Sequence, residues 1–283
     1  MAAKRNRSDP DAAKFLLFID TNIWLDFYRM EGAEGAAEAL ELIEHAKERI
    51  IITDQVQMEF LKHRQKTILL MLERFKSSEA MALPPIVADR KAAQAMRAQK
   101  KAMDERRLKL RRHVESILTN PATRDPVYRA MQSLFTEPGD LVLCRPKDER
   151  YAIRALAEKR WRLGYPPRKD DDTSIGDAIN WEWVVNCASR RGGHVIIVSR
   201  DHDYGRPYNG QVFLNDWLLR EYKERVPGRC KIVLTNRLSS ALRRMDVQVS
   251  KVVIEAEGAL VEASAHLSAT ARVLPVEAMV EQG

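Results

Sequence analysis

Four acidic residues occupy positions where their carboxylates could be gathered for chemistry. Asp20 ends the apolar run FLLFI, and Glu59 lies in the first turns of a helix that follows the run RIIIT. Asp177 opens a later helix, and Asp201 follows the run HVIIVS. Carboxylates held close together repel one another unless a cation neutralises them, and hard divalent ions such as Mg²⁺ prefer oxygen ligands. The set therefore predicts metal-assisted hydrolysis of a phosphodiester, in which a bound water is activated and charge on the oxygens is stabilised.

Each acidic residue also has an ordinary explanation when it is taken alone. Asp20 could form a turn with the backbone two residues on, and Glu59 could be a solvated helix residue. Asp177 could simply be favoured near a helix N-terminus, and Asp201 and Asp203 could be turn residues. The argument for a site depends on the four positions together.

Short apolar runs, most of them rich in β-branched residues, alternate with segments of helical spacing along much of the chain. Such runs are typical of buried parallel strands, and their alternation with helices predicts a parallel sheet with helical crossovers. Ligands of open parallel sheets collect beyond the C-terminal ends of the strands, where all four carboxylates are expected. The runs predicted as strands are residues 15–19, 49–53, 194–199 and 230–236, and residues 210–226 are predicted to be a further strand followed by a helix.

The predicted organisation is one large α/β domain, residues 15–245, with additions. Residues 1–14 are polar and basic and are predicted to be a flexible leader. The strand and helix alternation stops over 76–149, which is predicted to be a basic helical insertion. The tail, 246–283, has weak helical character, and the sequence leaves open whether it is a partner helix or loose.

The predicted insertion contains a strongly basic stretch, residues 90–115, with ten Lys or Arg against three acidic residues. Such a stretch is either a solvated helix face or a surface that contacts phosphate. The net charge of +7 favours a polyanionic partner. Phosphate contacts bring affinity that falls with salt and carry no sequence preference. The residues expected to make them are Arg106, Arg107, Lys109, Arg111 and Arg112.

Composition excludes several other classes of protein. No apolar run is long enough to span a membrane, and three widely spaced cysteines favour a reducing, cytoplasmic setting. Glycine-rich phosphate loops are missing, and Ser199 and His202 lack the nucleophile elbow of a serine hydrolase. Trp181 and Trp183 lie on different faces of one helix, which predicts core packing for at least one and leaves base stacking open for the other.

Four segments resemble, in this order, the acidic motifs of PIN-domain nucleases: FIDTNIWLD, TDQVQMEF, IGDAINWEWV and IIVSRDHDYG. The resemblance implies a PIN-like three-layer α/β/α sandwich with a central parallel sheet. It also implies one or two Mg²⁺ or Mn²⁺ ions. The catalytic and metal-binding residues that it implies are Asp20, Glu59, Asp177 and Asp201. Asp203 is implied as a further metal ligand, and Asn22 and Ser199 are implied as residues that support the site.

The activity implied by the resemblance is metal-dependent endoribonuclease cleavage of single-stranded or structured RNA, in the manner of a toxin or defence nuclease. The chain is about twice as long as a minimal PIN toxin, so a toxin role rests on the resemblance alone. Two alternatives remain open: a non-catalytic PIN-like module that binds RNA or a protein, and a nuclease directed to DNA. The sequence also leaves open a homo-oligomer and a protein inhibitor.

Overall fold

The computed structural model describes most of the chain, namely residues 15–75, 84, 86, 90–167 and 174–272, with side chains of the last helix described to residue 263. The predicted leader and the last eleven residues of the predicted tail lie outside the described residues. The chain divides into two compact units, residues 1–60 with 130–283 and residues 61–129.

Seven strands occur in the described part of the chain: β1 (Phe15–Ile19), β2 (Ile50–Thr53), β3 (Val142–Leu143), β4 (His194–Val198), β5 (Gly205–Tyr208), β6 (Gln211–Leu214) and β7 (Ile232–Thr235). Five of them form one sheet in the order β3-β2-β1-β4-β7, and every neighbouring pair is parallel. Strands β5 and β6 form a separate antiparallel hairpin. The central parallel sheet confirms the predicted α/β fold.

The described residues also form a short 3-10 helix (Lys47–Arg49) and eleven α-helices: α1 (Thr21–Asp26), α2 (Ala33–His45), α3 (Asp54–Glu73), α4 (Lys91–Thr119), α5 (Pro121–Arg124), α6 (Pro126–Thr136), α7 (Glu149–Arg162), α8 (Gly176–Arg191), α9 (Asp216–Arg225), α10 (Leu238–Arg244) and α11 (Lys251–Arg272). None of these helices is both long and apolar enough to cross a membrane. Helix α11 begins inside the predicted tail, and strand β3 lies inside the range predicted as an insertion.

The sheet order places the reversal of the chain between β1 and β4. The chain moves outward from β1 to β2 and β3, and then returns to add β4 and β7 on the other side of β1. Strands β1, β2 and β4 are buried along their whole length, which explains why they are continuous apolar runs. In open parallel sheets a ligand crevice forms at this reversal, beyond the C-terminal ends of the two strands.

Helix α8 lies in the middle of the core of the larger unit. Trp181 and Trp183 have no exposed surface, so neither is available to stack on a base. The indole nitrogen of Trp183 donates to the carbonyl oxygen of Leu141 at 3.0 Å. The possibility of stacking at this helix, which the sequence left open, is therefore wrong, because the helix is packed on both of these faces.

Helix α11 packs closely on α2. A Cβ added to Gly35 of α2 would lie 3.1 Å from both the Cβ of Ala256 and the carbonyl oxygen of Val252. The hydroxyl of Ser250 donates to Glu38 of α2 at 2.6 Å. The described part of the tail is therefore an integral helix of the larger unit.

The smaller unit is organised around a buried arginine. Arg64 donates through Nε to the Asp125 carboxylate at 2.7 Å and through its Nη2 to the carbonyl of Ile117 at 2.6 Å. Its guanidinium also lies over the Tyr128 ring, 5.4 Å from the centroid. Both charged groups are almost fully buried, and each neutralises the charge of the other. This ion pair connects α3 with the turn between α5 and α6.

Candidate active site

Asp20 continues the sheet ladder one residue beyond β1. Its backbone nitrogen donates to the carbonyl of Val198 in β4 at 3.0 Å, which brings it beside Ser199. The Ser199 hydroxyl donates to Asp20 Oδ2 at 2.6 Å, and the amide of Asn22 donates to the same oxygen at 2.7 Å. Asp20 also caps α1, where its Oδ1 accepts from the backbone of Thr21 at 2.7 Å. The paired strand ends therefore fix this carboxylate at the reversal of the sheet.

The Asp20 carboxylate is buried with only 3% of its surface exposed. Burial raises its pKa to about 7, and the charges of Asp201 and Glu59 add to the rise against the hydrogen bonds from Ser199 and Thr21. All of its hydrogen-bond donors among the described residues are neutral. Among the described residues, therefore, no cationic group bonds to Asp20, and burial disfavours its ionised form.

Glu59 approaches the same place from helix α3. Its two carboxylate oxygens accept from the Thr21 hydroxyl at 2.8 Å and from the Gln55 amide at 2.7 Å. Gly176 at the start of α8 lies against this carboxylate, because an added Cβ would overlap Glu59 Oε1 and lie 2.8 Å from Gln55 Nε2. The absence of a side chain at Gly176 lets the N-terminus of α8, which carries Asp177, abut Glu59.

The loop after β4 brings Asp201 to the site. The backbone nitrogen of Asp201 donates to the Ser199 hydroxyl at 3.1 Å. The neighbouring backbone nitrogen of Arg200 donates to the side-chain oxygen of Asn22 at 3.2 Å. Ser199 and Asn22 therefore connect this loop with Asp20, as well as binding to Asp20 directly.

The side chain of Arg200 connects this loop with helices α1 and α11. It pairs with Asp26 of α1 and lies 3.5 Å from the Glu257 carboxylate of α11. Glu257 is itself buried and accepts from the backbone of Leu238 and Ser239 at the start of α10. Helix α11 therefore holds the residue that precedes Asp201.

Tyr204 is a residue of this site that the sequence did not single out. It is fully buried, and its hydroxyl has no hydrogen-bond partner among the described residues. Burial raises its pKa well above the usual range, and the charges of Asp177, Asp20, Glu59 and Asp203 raise it further. The negative charges of these four carboxylates therefore all disfavour ionisation of this one phenol. The one feature of the sequence that could have pointed to Tyr204 is its position directly after Asp203.

The site fits a hard divalent cation in the chemistry of its donors. The acidic side chains offer only oxygen ligands, and in the described part of the chain Asp20 has no cationic partner and the buried Tyr204 hydroxyl has no hydrogen-bond partner. Among the described residues, no three acidic, His or Cys side chains stand close enough to one another to form a ready-made ligand group. Repulsion between carboxylates opposes closer approach when no cation lies between them.

Hydrogen bonds through Thr21 and Ser199 connect Asp20 with Glu59 and with the backbone of Asp201, and Asn22 and Ser199 both donate to Asp20. Asp177 follows Gly176, which lies against Glu59, and Asp203 is two residues beyond Asp201. The five basic residues predicted to contact phosphate lie on α4 in the smaller unit. Arg106, Lys109 and Arg112 are exposed. Arg107 pairs with Asp104 of the same helix at 3.8 Å, and Arg111 pairs with Glu115 at 2.9 Å.

Comparison with known proteins gives one match. A family model described as PIN domain matches residues 17–204, which is more than half of the chain. This range includes the four acidic residues, the loop after β4 and Tyr204. No curated protein and no solved structure matches the chain.

The buried Asp20 predicts how the stability of the metal-free protein changes with pH. Its pKa is about 7 in the folded protein and about 4 in an unfolded chain, so the folded state binds the extra proton between these values. The free energy of unfolding should therefore fall by up to about 4 kcal/mol as the pH rises from 4 to 7 and should level off above 7. Urea denaturation in EDTA across this range measures the effect.

The Asp20→Asn variant is the matched control, because it keeps the shape of the side chain and removes the titration. Its free energy of unfolding should lack this fall, so the difference between the two proteins isolates Asp20. Parallel pH profiles for the two proteins would show that Asp20 is already ionised in the fold.

Proposed function

The chain belongs to the PIN-domain family, a family of nucleases, and we propose that it is a metal-dependent endoribonuclease that hydrolyses RNA phosphodiester bonds. The observation that carries this proposal is the uncompensated negative charge at the end of β1. Asp20 is buried beside Asp201 and Glu59, and only neutral groups donate to it. Such a group is expected where a protein must bind a cation.

In the proposed mechanism, one or two Mg²⁺ or Mn²⁺ ions would be held by Asp20, Glu59, Asp177, Asp201 and Asp203. A bound ion of this kind lowers the pKa of a coordinated water and stabilises negative charge on the phosphate oxygens. These acidic residues come from four parts of the chain: the end of β1, helix α3, helix α8 and the loop after β4. They would therefore approach an ion at the sheet edge from several directions.

Neighbouring polar groups orient these ligands. Ser199 and Asn22 both donate to the same oxygen of Asp20, and these two hydrogen bonds orient its carboxylate. Thr21 and Gln55 each hold one oxygen of Glu59. Partners of this kind typically contribute a factor of 10–100 in metal affinity or activity.

RNA is the substrate that the resemblance favours, and the positive charge of the chain supports a nucleic acid in general. We propose that the exposed basic residues of α4 contact the phosphate backbone. A nuclease directed to DNA and a module that binds without cutting are the alternatives, and the experiments below distinguish them. Cytoplasmic location, a toxin or defence role, a homo-oligomer and a protein inhibitor remain expectations from the sequence.

Cleavage of labelled single-stranded RNA and DNA, with Mg²⁺, with Mn²⁺ and with EDTA, tests the proposed activity. RNA should be cut with either ion and not in EDTA. The Asp177→Asn variant should lose at least a hundredfold in rate, because a metal ligand is replaced, and should still bind RNA.

The matched control is Asp148→Asn, which changes an exposed acidic residue just before α7 in the same way. Its cleavage rate should equal that of the unchanged protein. Full activity in the Asp177→Asn variant would contradict the four-carboxylate mechanism, and binding without any cleavage would favour the non-catalytic module. Preferential cutting of DNA would favour the DNA-directed alternative.

Replacement of Gly176 by alanine should damage the site without unfolding the protein. The new Cβ would displace the Glu59 carboxylate and the Gln55 amide, which are the mobile ends of their side chains. Alanine is favoured over glycine in helices by roughly 0.5–1 kcal/mol, so stability should change little. Mn²⁺ affinity, measured by calorimetry on the metal-free protein, should fall by about 10–100-fold, together with the cleavage rate.

Gly139→Ala is the control for this change, since an added Cβ there meets no atom within 4 Å. It should bind Mn²⁺ as the unchanged protein does. Unchanged Mn²⁺ affinity in Gly176→Ala would show that Glu59 does not contribute to the ion site.

The phosphate contacts of α4 predict a change in salt dependence. Replacing the exposed Arg106, Lys109 and Arg112 by glutamine should weaken RNA binding in EDTA. It should also reduce the slope of log affinity against log salt by about 2, because each phosphate contact to a single strand contributes about 0.7.

A charge-matched control removes three exposed arginines from the larger unit, Arg229, Arg243 and Arg244. Its slope should change much less. Equal losses in both triple variants would mean that net charge alone attracts the RNA and that α4 is only a solvated helix.

A further inference from the structure

The β5–β6 hairpin follows the proposed ion site directly in the chain. Its first residue, Gly205, comes immediately after the buried Tyr204 and two residues after Asp203. The backbone nitrogen of Asn215 donates to the carbonyl of Tyr204 at 2.9 Å and closes the base of the hairpin. The hairpin therefore begins at the edge of the site.

The hairpin is held in one orientation at both ends. A Cβ added to Gly205 would overlap the carbonyl of Phe213 and lie 2.8 Å from the Leu234 side chain of β7, so the base packs tightly on the sheet. At the tip, Asn209 and Gly210 both have positive φ, of 47° and 74°. A two-residue turn of this kind matches the twist of the strands and fixes their register.

The register places the large aromatic side chains on the outer face. Arg206 is opposite Phe213, and Tyr208 is opposite Gln211, so these four side chains share one face. All four are exposed, whereas Val212 and Leu214, on the other face, are half-buried. The exposed fractions are 69% for Tyr208 and 53% for Phe213.

The chemistry of this outer face is that of a surface for nucleic-acid bases. It carries two aromatic rings, an amide and a guanidinium, and no acidic residue. Arg206 makes no ion pair among the described residues, so its charge is available to a polyanion. Aromatic rings beside arginine are the means by which proteins bind single strands, because every base has a face that can stack.

We propose that the outer face of the β5–β6 hairpin, defined by Arg206, Tyr208, Gln211 and Phe213, binds single-stranded nucleic acid by base stacking. Tyr208 and Phe213 stack on bases, and Arg206 contacts the backbone. Tyr208 is five positions after Asp203, a span of at most about 18 Å, so one oligonucleotide can occupy both the hairpin and the ion site. This inference rests on the proposed function and gives the substrate a preference for unpaired bases.

Binding of a fluorescent single-stranded RNA in EDTA tests the inference without requiring cleavage. The oligonucleotide is compared with an abasic one of the same length, which keeps the phosphates and lacks the bases. The unchanged protein should prefer the oligonucleotide with bases. Tyr208→Ala and Phe213→Ala should each weaken binding to it about fivefold or more, and should leave binding to the abasic strand unchanged.

Arg206→Gln should act differently from the two aromatic variants. It should weaken binding to both oligonucleotides and reduce the salt slope by about 0.7, because it removes a phosphate contact. Tyr208→Leu and Phe213→Leu repeat the aromatic test with side chains that stay apolar. Tyr151→Ala is the matched control, since Tyr151 is 68% exposed on α7, and it should bind both strands as the unchanged protein does.

Equal binding of the two oligonucleotides by the unchanged protein and by the Tyr208 and Phe213 variants would overturn the inference. It would also be overturned if sedimentation showed a dimer that these variants lose while RNA binding stays the same, because the face would then join two copies of the chain. Since the measurement is made in EDTA, a protein that binds bases through the hairpin but cuts nothing would contradict the proposed activity and leave this inference standing.

Discussion

The site is built around a carboxylate that is buried at the end of the central strand and that has no positive partner among the described residues. Strand β1 has neighbours on both sides, and the hydrogen bond from Asp20 to Val198 extends the ladder past its end. Asp20 therefore cannot turn away into solvent, and Asp201 and Glu59 raise its pKa together with burial. Every other feature of the site either holds this charge in place or brings another one towards it.

The loop that carries Asp201 is the part of the site with the least support from the sheet, and it receives support from elsewhere. Arg200 is clamped between Asp26 and Glu257, and Glu257 also accepts two backbone hydrogen bonds at the start of α10. The Glu257 carboxylate of α11 thus accepts from the first backbone N–H groups of α10 and also offsets the charge of Arg200. Helix α11 lies beyond residues 17–204, which match the family model, so part of the support for this loop comes from outside the matched range.

The sequence predicted those parts of the fold whose signal is local. Strands β1, β2, β4 and β7 are apolar runs, and Asp20 and Asp201 follow two of them, so the edge where the acidic residues meet could be predicted. Strand β3 has only two residues, too few to show an apolar run in the sequence. It is recognised as a strand only by its parallel pairing with the outer edge of β2. Strand β6 and helix α9 were predicted as one strand-to-helix unit, but β5 and its antiparallel pairing with β6 were missed, because the aromatic residues of the hairpin face outward, against the usual burial pattern. Tyr204 was missed because only the fold shows which groups surround its hydroxyl.

A second buried carboxylate, Glu182 of helix α8, differs from Asp20 in its partners. Burial alone would raise the pKa of Glu182, in the middle of this helix, but the guanidinium groups of Arg225 and Arg160 outweigh burial and lower it. Arg160 donates to Glu182 at 2.8 Å, and Arg225 donates at 2.6 Å. This protein therefore provides cations for a buried carboxylate where the role is structural. Asp20 is as deeply buried, and among the described residues it receives only neutral donors, which is the arrangement expected where a bound cation supplies the positive charge.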